Sequence, residues 1–212
     1  MHLVGDFLLV RHDGRVSTNA SPGTAVVVAP EPAASADDPA TVDAIADLVN
    51  RVYLLAEAGL WTDGAERTTP AEVADLLAKG WIATARAGDR IVGAVTLRPL
   101  DARTAEFGML AADPGWRGIG IGRELVAFAE RWAAERAHST MQLELLVPTG
   151  WSHPSKQFLS GWYERLGYRE FRRTHLEELY PDLEPLLATP CDLLVFRKPL
   201  PVAPLRDSAA AE

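Results

Sequence analysis

The stretch from Glu106 to Arg136, EFGMLAADPGWRGIGIGRELVAFAERWAAER, constrains this chain more than any other. Its first seven residues, Glu106 to Ala112, are mostly small and apolar and predict a buried strand. Asp113-Pro114-Gly115 punctuates it as a turn, and Arg117-Gly118-Ile119-Gly120-Ile121-Gly122 leads into a helix predicted from Gly118 to about Ala137. Glycines at alternating positions remove the Cβ atoms that keep a ligand off the backbone and tolerate positive φ, so several N–H groups can converge on one point. At a helix N-terminus such donors favour a phosphate or pyrophosphate, and Arg117 adds a fixed positive charge. Along the helix, Ile121, Leu125, Phe128 and Trp132 form the stripe expected to bury, leaving Arg123, Glu130, Arg131 and Glu135 in water.

Two familiar phosphate loops fail on spacing. A dinucleotide-binding G-x-G-x-x-G from Gly118 requires glycine where Arg123 stands, and a P-loop requires Gly-Lys-Ser/Thr, which is absent. What fits is R-x-x-G-x-G, and with it the chain resembles the GCN5-related N-acetyltransferases (GNAT). The resemblance includes the strand and Pro114 before the loop, the long helix after it, and Trp162-Tyr163-Glu164-Arg165-Leu166-Gly167-Tyr168, similar to that family's F/L-Y-x-x-x-G-F. It covers about residues 24 to 198. It implies an α/β (α+β) architecture, the GNAT fold: a central mixed, mostly antiparallel, twisted and splayed sheet of about seven strands flanked by helices.

The length of 212 residues suits one sizeable domain. We expect residues 1–23 to be an N-terminal extension with a hairpin around His12-Asp13-Gly14-Arg15, residues 24–200 the acetyltransferase domain, and the Ala/Pro-rich residues 201–212 a disordered tail. A formal net charge of -8 with no basic run speaks against nucleic acid as a partner. Asp6 and Arg11 interrupt the only early apolar run, and no stretch reaches membrane-spanning length, so no signal peptide or membrane partner is expected. The single cysteine, Cys191, suits a reducing compartment, hence a cytoplasmic location, and reads as a small apolar residue in a strand. A homodimer, common among relatives, stays open.

In chain order, Thr24 to Ala29 reads as the first strand and Pro30 to Ala40 as a loop. Val42, Ile45, Val49, Val52 and Tyr53 recur at helical spacing from Thr41. Thr69-Pro70-Ala71-Glu72 is a capping box with proline at the first helical position. Trp81–Ala87 and Arg90–Leu97 form a hairpin over Gly88-Asp89, and Thr104 to Ala112 is the next strand. Gln142 to Val147 reads as a central strand, Ser155 to Leu166 as a short helix closed by Gly167, and Tyr168–Arg172 and Asp192–Lys198 as closing strands around a mixed helical segment.

The resemblance implies acetyl-CoA as cosubstrate and an acceptor that is a small-molecule or peptide amine; the sequence offers no metal-ligand spacing, so no metal is expected. The loop residues Arg117, Gly118, Ile119, Gly120, Ile121, Gly122 and Arg123 would hold the diphosphate. The backbone of Leu110, Ala111 and Ala112 would pair with the pantetheine arm as an added strand. Tyr163 matches the tyrosine that protonates the departing thiolate, against a merely packed tyrosine. Glu106 is the candidate base, against a carboxylate facing solvent or paired with an arginine. Lys156 stands where relatives often carry asparagine, and its ammonium is the expected substitute contact to the coenzyme. Trp61, Arg67 and Trp151 are candidates for the acceptor site, against simple packing on the sheet edge; His153 reads as a cap or surface residue. The expected activity is acetyl transfer to a primary amine by direct attack; a non-catalytic CoA-binding module, or an acyltransferase using another acyl-CoA, are the alternatives.

Overall fold

The computed structural model describes residues 25 to 201, so the expected N-terminal hairpin and nearly all of the expected tail lie outside the described residues. Seven strands form a single sheet: β1 (Val26–Pro30), β2 (Ile82–Ala87), β3 (Arg90–Pro99), β4 (Thr104–Ala112), β5 (Thr140–Pro148), β6 (Arg169–His175) and β7 (Cys191–Pro199). Their spatial order is β1-β2-β3-β4-β5-β7-β6, and every pair is antiparallel except β4 with β5. The expected mixed, mostly antiparallel sheet is therefore what forms. Among the described residues no helix is long and apolar enough to cross a membrane.

The helices start where side chains or prolines satisfy orphan amides. Helix α1 (Pro39–Ala56) begins two residues before the expected Thr41, because Asp38 caps it: its carboxylate accepts from Ala40 N at 3.2 Å and from the Thr41 hydroxyl at 2.7 Å, with Pro39 at the first position. The preceding segment, expected as loop, contains one 3-10 turn, Ala33–Asp37. Helix α2 (Pro70–Ala78) starts on the anticipated capping box, Thr69 with Glu72. Helix α4 (Pro154–Arg165) is capped by His153, whose Nδ1 accepts from Ser155 N at 3.2 Å. A single helical turn, α5 (Leu176–Leu179), lies between β6 and β7.

Helix α3 (Ile121–Glu135) differs from expectation by starting three residues later than Gly118. Gly118 and Gly120 have φ of +88° and +86°, and a left-handed residue ends or precedes an α-helix rather than continuing it. Phe128 is only half-buried, and Val126 and Ala129 bury instead.

Two apolar layers sandwich the sheet. On one face α3 and α4 pack Ile121, Leu125, Leu159, Trp162 and Tyr163 against Phe107, Leu143 and Phe196. On the other, α1 and α2 pack Ile45, Val49, Val73 and Leu77 against Ile82, Ala94 and Ala111. Burying each large side chain contributes roughly 1.5–3 kcal/mol, which far exceeds what helix propensity supplies.

Strands β4 and β5 are paired only at Thr104–Thr140, Ala105–Met141 and Glu106–Gln142, at one end of both strands. Past those three pairs they part. On its other edge β4 carries a bulge: Thr96 pairs with Gly108 and Ala94 with Ala111, so two β4 residues, Met109 and Leu110, oppose Val95. Met109 sits there at φ +44°, a conformation a side-chain-bearing residue rarely adopts.

The start of α3 is held hard against β3. A Cβ at Gly93 would lie 2.7 Å from Ile121 Cγ2, 3.0 Å from Leu125 Cδ1 and 3.2 Å from the Ala111 carbonyl oxygen. Gly93→Ala is expected to cost about 1–3 kcal/mol in denaturant unfolding through this overpacking. Gly150→Ala, with no atom within 4 Å of its Cβ, should stay within about 0.5 kcal/mol of wild type.

Candidate active site

The parting of β4 from β5 aligns the glycine loop, an unpaired strand edge and a set of buried charges. The loop comes first. Asp113 accepts from Gly115 N at 2.9 Å and pairs with Arg90 at 2.6 Å, and Trp116 is buried behind the turn. Arg117, Gly118, Ile119, Gly120 and Arg123 are exposed, while Ile121 and Gly122 are buried where α3 meets the sheet. No side chain caps α3 at Gly120, so its first-turn amides, which have no intrahelical partner, face outward with the positive end of the helix dipole. Nothing lies within 4 Å of a Cβ built on Gly118 or Gly120. That open, amide-lined space flanked by two arginines fits a diphosphate.

Leu110, Ala111 and Ala112 are buried on β4, with Ala111 and Ala112 paired to Ala94 and Gly93 of β3. Their other edge lies beyond the last β4–β5 pair, available to an extended ligand.

Tyr163 is fully buried in an aromatic cluster. Its ring centroid is 5.0 Å from Trp162, 6.1 Å from Phe107, 6.1 Å from Tyr168 and 6.2 Å from Phe196. The ring packs in the core against Phe107, the first β4 residue past the parting point. Its neighbour Tyr168 donates to Glu130 at 2.9 Å, and burial with that carboxylate pushes its phenol well up.

Glu106 is buried and bound on both sides. Its Oε1 accepts from Arg98 Nε at 2.8 Å and pairs with the second guanidinium nitrogen at 2.6 Å, and Oε2 accepts from Gln142 Nε2 at 3.0 Å. Gln142 in turn accepts from Arg197 Nε at 2.8 Å, and the Arg197 guanidinium lies 3.8 Å from the Phe171 ring centre. Of the two alternatives left open for Glu106, arginine pairing is present. Sequence reasoning missed the adjacent carboxylate: Glu144, two residues beyond Gln142 on β5, is buried and accepts from the Tyr180 hydroxyl at 2.7 Å. Burial and the charge of Glu106 push its carboxyl up to about 7. Period-two alternation from Gln142 was the signal that would have found it.

The acceptor candidates gather at the C-terminal end of α1. A cavity of about 610 Å³ is bounded there by Tyr53, Glu57, Trp61, Arg67, Leu183 and Leu186, among others. The Trp61 indole donates to Glu57, and the Arg67 guanidinium lies 4.8 Å from the Tyr53 ring centre. Trp151 is 44% exposed and packs on His153, with ring centroids 5.2 Å apart; it abuts the cavity wall at Gly59, whose Cβ position is 3.9 Å from its ring. Lys156 is on this side: its ammonium pairs with Glu57 at 2.8 Å, both side chains buried. Burial would raise the Glu57 carboxyl, but Lys156 and Arg67 hold it below the ordinary carboxylate range. Burial and Lys156 lower His153, keeping it the neutral acceptor its capping role needs. The Cys191 thiol is buried and pushed up to about 12 by burial and Glu57. Among the described residues no group of three or more His, Cys, Asp or Glu is placed to hold a metal.

Comparison with known proteins identifies the family and the fold. The sequence matches the acetyltransferase (GNAT) family over residues 44–168, a span that contains both the glycine loop and the Tyr163 motif. No curated protein sequence matches significantly. Among solved structures, the chain is similar to aminoglycoside 6'-acetyltransferase type Ii, with TM-score 0.57 and 20% identity, covering 84% of this chain and 99% of that one. It is likewise similar to the ribosomal-protein-S18-alanine N-acetyltransferase from Escherichia coli, with TM-score 0.57 and 14% identity over 86% and 98% of the two chains. A third, yncA from Salmonella typhimurium with its cofactor acetyl-CoA, gives TM-score 0.55 and 15% identity over 87% and 99%. At these identities the structures attest to the fold, and the family match covers more than half of the 212 residues. The chain belongs to the GNAT family of acetyltransferases and is an enzyme of the N-acetyltransferase class.

Proposed function

We propose that this enzyme moves an acetyl group from acetyl-CoA to a primary amine by direct attack, with no acyl-enzyme. The observation that carries this reading is the alignment of an uncapped, glycine-opened helix start with the unpaired edge of β4 where the sheet parts. In it, amides of residues 118–123 bind the diphosphate, flanked by Arg117 and Arg123. The backbone of Leu110, Ala111 and Ala112 pairs with the pantetheine arm, which delivers the thioester to the parting of the strands. The acceptor enters from the cavity lined by Trp61 and Arg67, with Trp151 against its wall. Lys156 serves by fixing Glu57 at that cavity rather than by touching the coenzyme.

Direct attack is favoured because the one thiol of the chain is buried and held protonated. Holding amine and thioester together supplies the largest share of the acceleration, and backbone donors polarise the carbonyl. An alkyl ammonium has a pKa of about 10, so roughly one amine in a thousand is free at neutral pH and a buried carboxylate must take up its proton. Tyr163 gives its phenolic proton to the departing thiolate.

With acetyl-CoA and a panel of amines, wild type should release thiol only when acceptor is present. Tight coenzyme binding with no acceptor-dependent release across the panel would instead identify a regulatory module. Gly120→Glu places a side chain and a negative charge in the cradle at a left-handed position, and should abolish acetyl-CoA binding in calorimetry. Tyr163→Phe preserves the packed ring and should lower kcat by about 10²-fold or more with the acetyl-CoA Kd unchanged.

A further inference from the structure

Two carboxylates stand where the sheet opens, and the fold treats them in opposite ways. Glu106 is the last β4 residue paired to β5, and Gln142 is its partner in register. Gln142 bonds the Glu106 side chain across that pair, and Glu144 follows two residues later, so all three side chains share one face of the sheet. Glu106 has its charge matched by the Arg98 guanidinium and is bonded by Gln142 as well. Glu144 stands one step further into the parted region, where its neighbour on that side is no longer β4. Its hydrogen-bond donor is a phenol, Tyr180, and no ion pair is found for it among the described residues. The charged groups that act on it are Glu106 from β4, Arg98 from β3 and Arg172 from β6.

Building on the acetyl-transfer reading, we infer that Glu144 is the proton acceptor for the incoming ammonium, and that Glu106, clamped by Arg98, is the fixed negative charge that tunes it. A carboxylate whose proton affinity lies near the working pH suits acid–base chemistry. Burial and Glu106 place Glu144 at about 7, near that optimum. Tyr180 serves as a positioning residue; burial and the Glu144 charge hold its phenol above its ordinary range, so it remains a donor to Glu144.

The proton balance closes. The Glu144 carboxylate takes one proton from the alkyl ammonium, freeing the nitrogen lone pair to form the C–N bond as the C–S bond breaks. The thiolate takes the proton of Tyr163. The second nitrogen proton, lost as the amide forms, returns to the Tyr163 phenolate through water. Glu144 releases its own proton to solvent, giving one proton released per acetyl transferred.

The test uses the full chain with acetyl-CoA and an amine accepted in the panel. Glu144→Gln should keep the acetyl-CoA Kd, lower kcat/KM for the amine by about 10²-fold at pH 7, and erase the pH-profile inflection near 7. Glu106→Gln removes the like charge and should move that inflection down; Arg98→Met removes the compensating charge and should move it up. A structural hydrogen-bond partner would not give those opposite shifts.

Stability gives a readout independent of turnover. With its proton affinity raised on folding, Glu144 keeps a proton that the unfolded chain has already lost, so between the ordinary carboxylate range and about 7 the fold loses stability as pH rises. Glu144→Gln should therefore raise Tm at pH 8 more than at pH 4, whereas loss of a purely structural contact would lower it at both. If wild type turns over and Glu144→Gln retains the inflection with less than about threefold loss, the Glu144 assignment is overturned and acetyl transfer stands. If wild type shows no acceptor-dependent release at all, the acetyl-transfer reading fails and this inference falls with it.

Discussion

The feature on which the rest depends is the short truce between β4 and β5, three residue pairs long. Parallel strands held at one end only diverge along their natural twist, leaving a wedge lined by main chain in the middle of an otherwise continuous sheet. Each side of the wedge is anchored elsewhere. Strand β5 pairs with β7 at nine successive positions, and β4 pairs with β3 on both sides of its bulge. The strain at Met109 is thus sustained by two apolar layers that bury β4 along its whole length. A gap in a sheet ordinarily leaves unmatched backbone groups, which is tolerable where a ligand supplies the missing strand.

Charge follows the same line. The chain of contacts Arg98, Glu106, Gln142 and Arg197 crosses β3, β4, β5 and β7 and stitches them on the face opposite α3 and α4. Removing one member of such a buried set leaves another uncompensated, which is far more costly than never having had the pair. The Lys156–Glu57 pair does the equivalent between the first turn of α4 and the end of α1. Two rigid charge assemblies therefore bracket the site, one at the parting and one at the cavity.

Much of this was legible in residues whose effects are local. The capping box at Thr69 and Glu72, the Gly88-Asp89 hairpin and the glycine loop act through their own backbone, and each stands where the sequence puts it. Helix α3 starts later than the glycine-rich entry suggests because Gly118 and Gly120 take left-handed φ in the turn, which residue type alone permits but does not dictate. What depended on distant partners was hidden. The spacing around Tyr163 shows the stripe on its helix, yet Phe107 and Phe196 arrive from strands 56 and 33 residues away in sequence. Lys156 read as a cation in search of a phosphate because Glu57, 99 residues earlier, is invisible as its partner until the chain folds. Glu144 escaped for the same reason: its significance comes from Glu106 and Tyr180, each 36 or more residues off.

The placement of Cys191 carries a chemical consequence of its own. An acetyltransferase whose donor is a thioester liberates a free thiol at each cycle, and in oxidising conditions that product forms disulfides able to attack any accessible cysteine. Exchange needs both access and a thiolate. Here the sole thiol has neither: it is buried at the start of β7, it donates to the Thr189 carbonyl, and the nearby Glu57 further disfavours its anion. The fold thereby makes the catalyst inert toward the by-product it would generate, without needing to dispense with cysteine altogether.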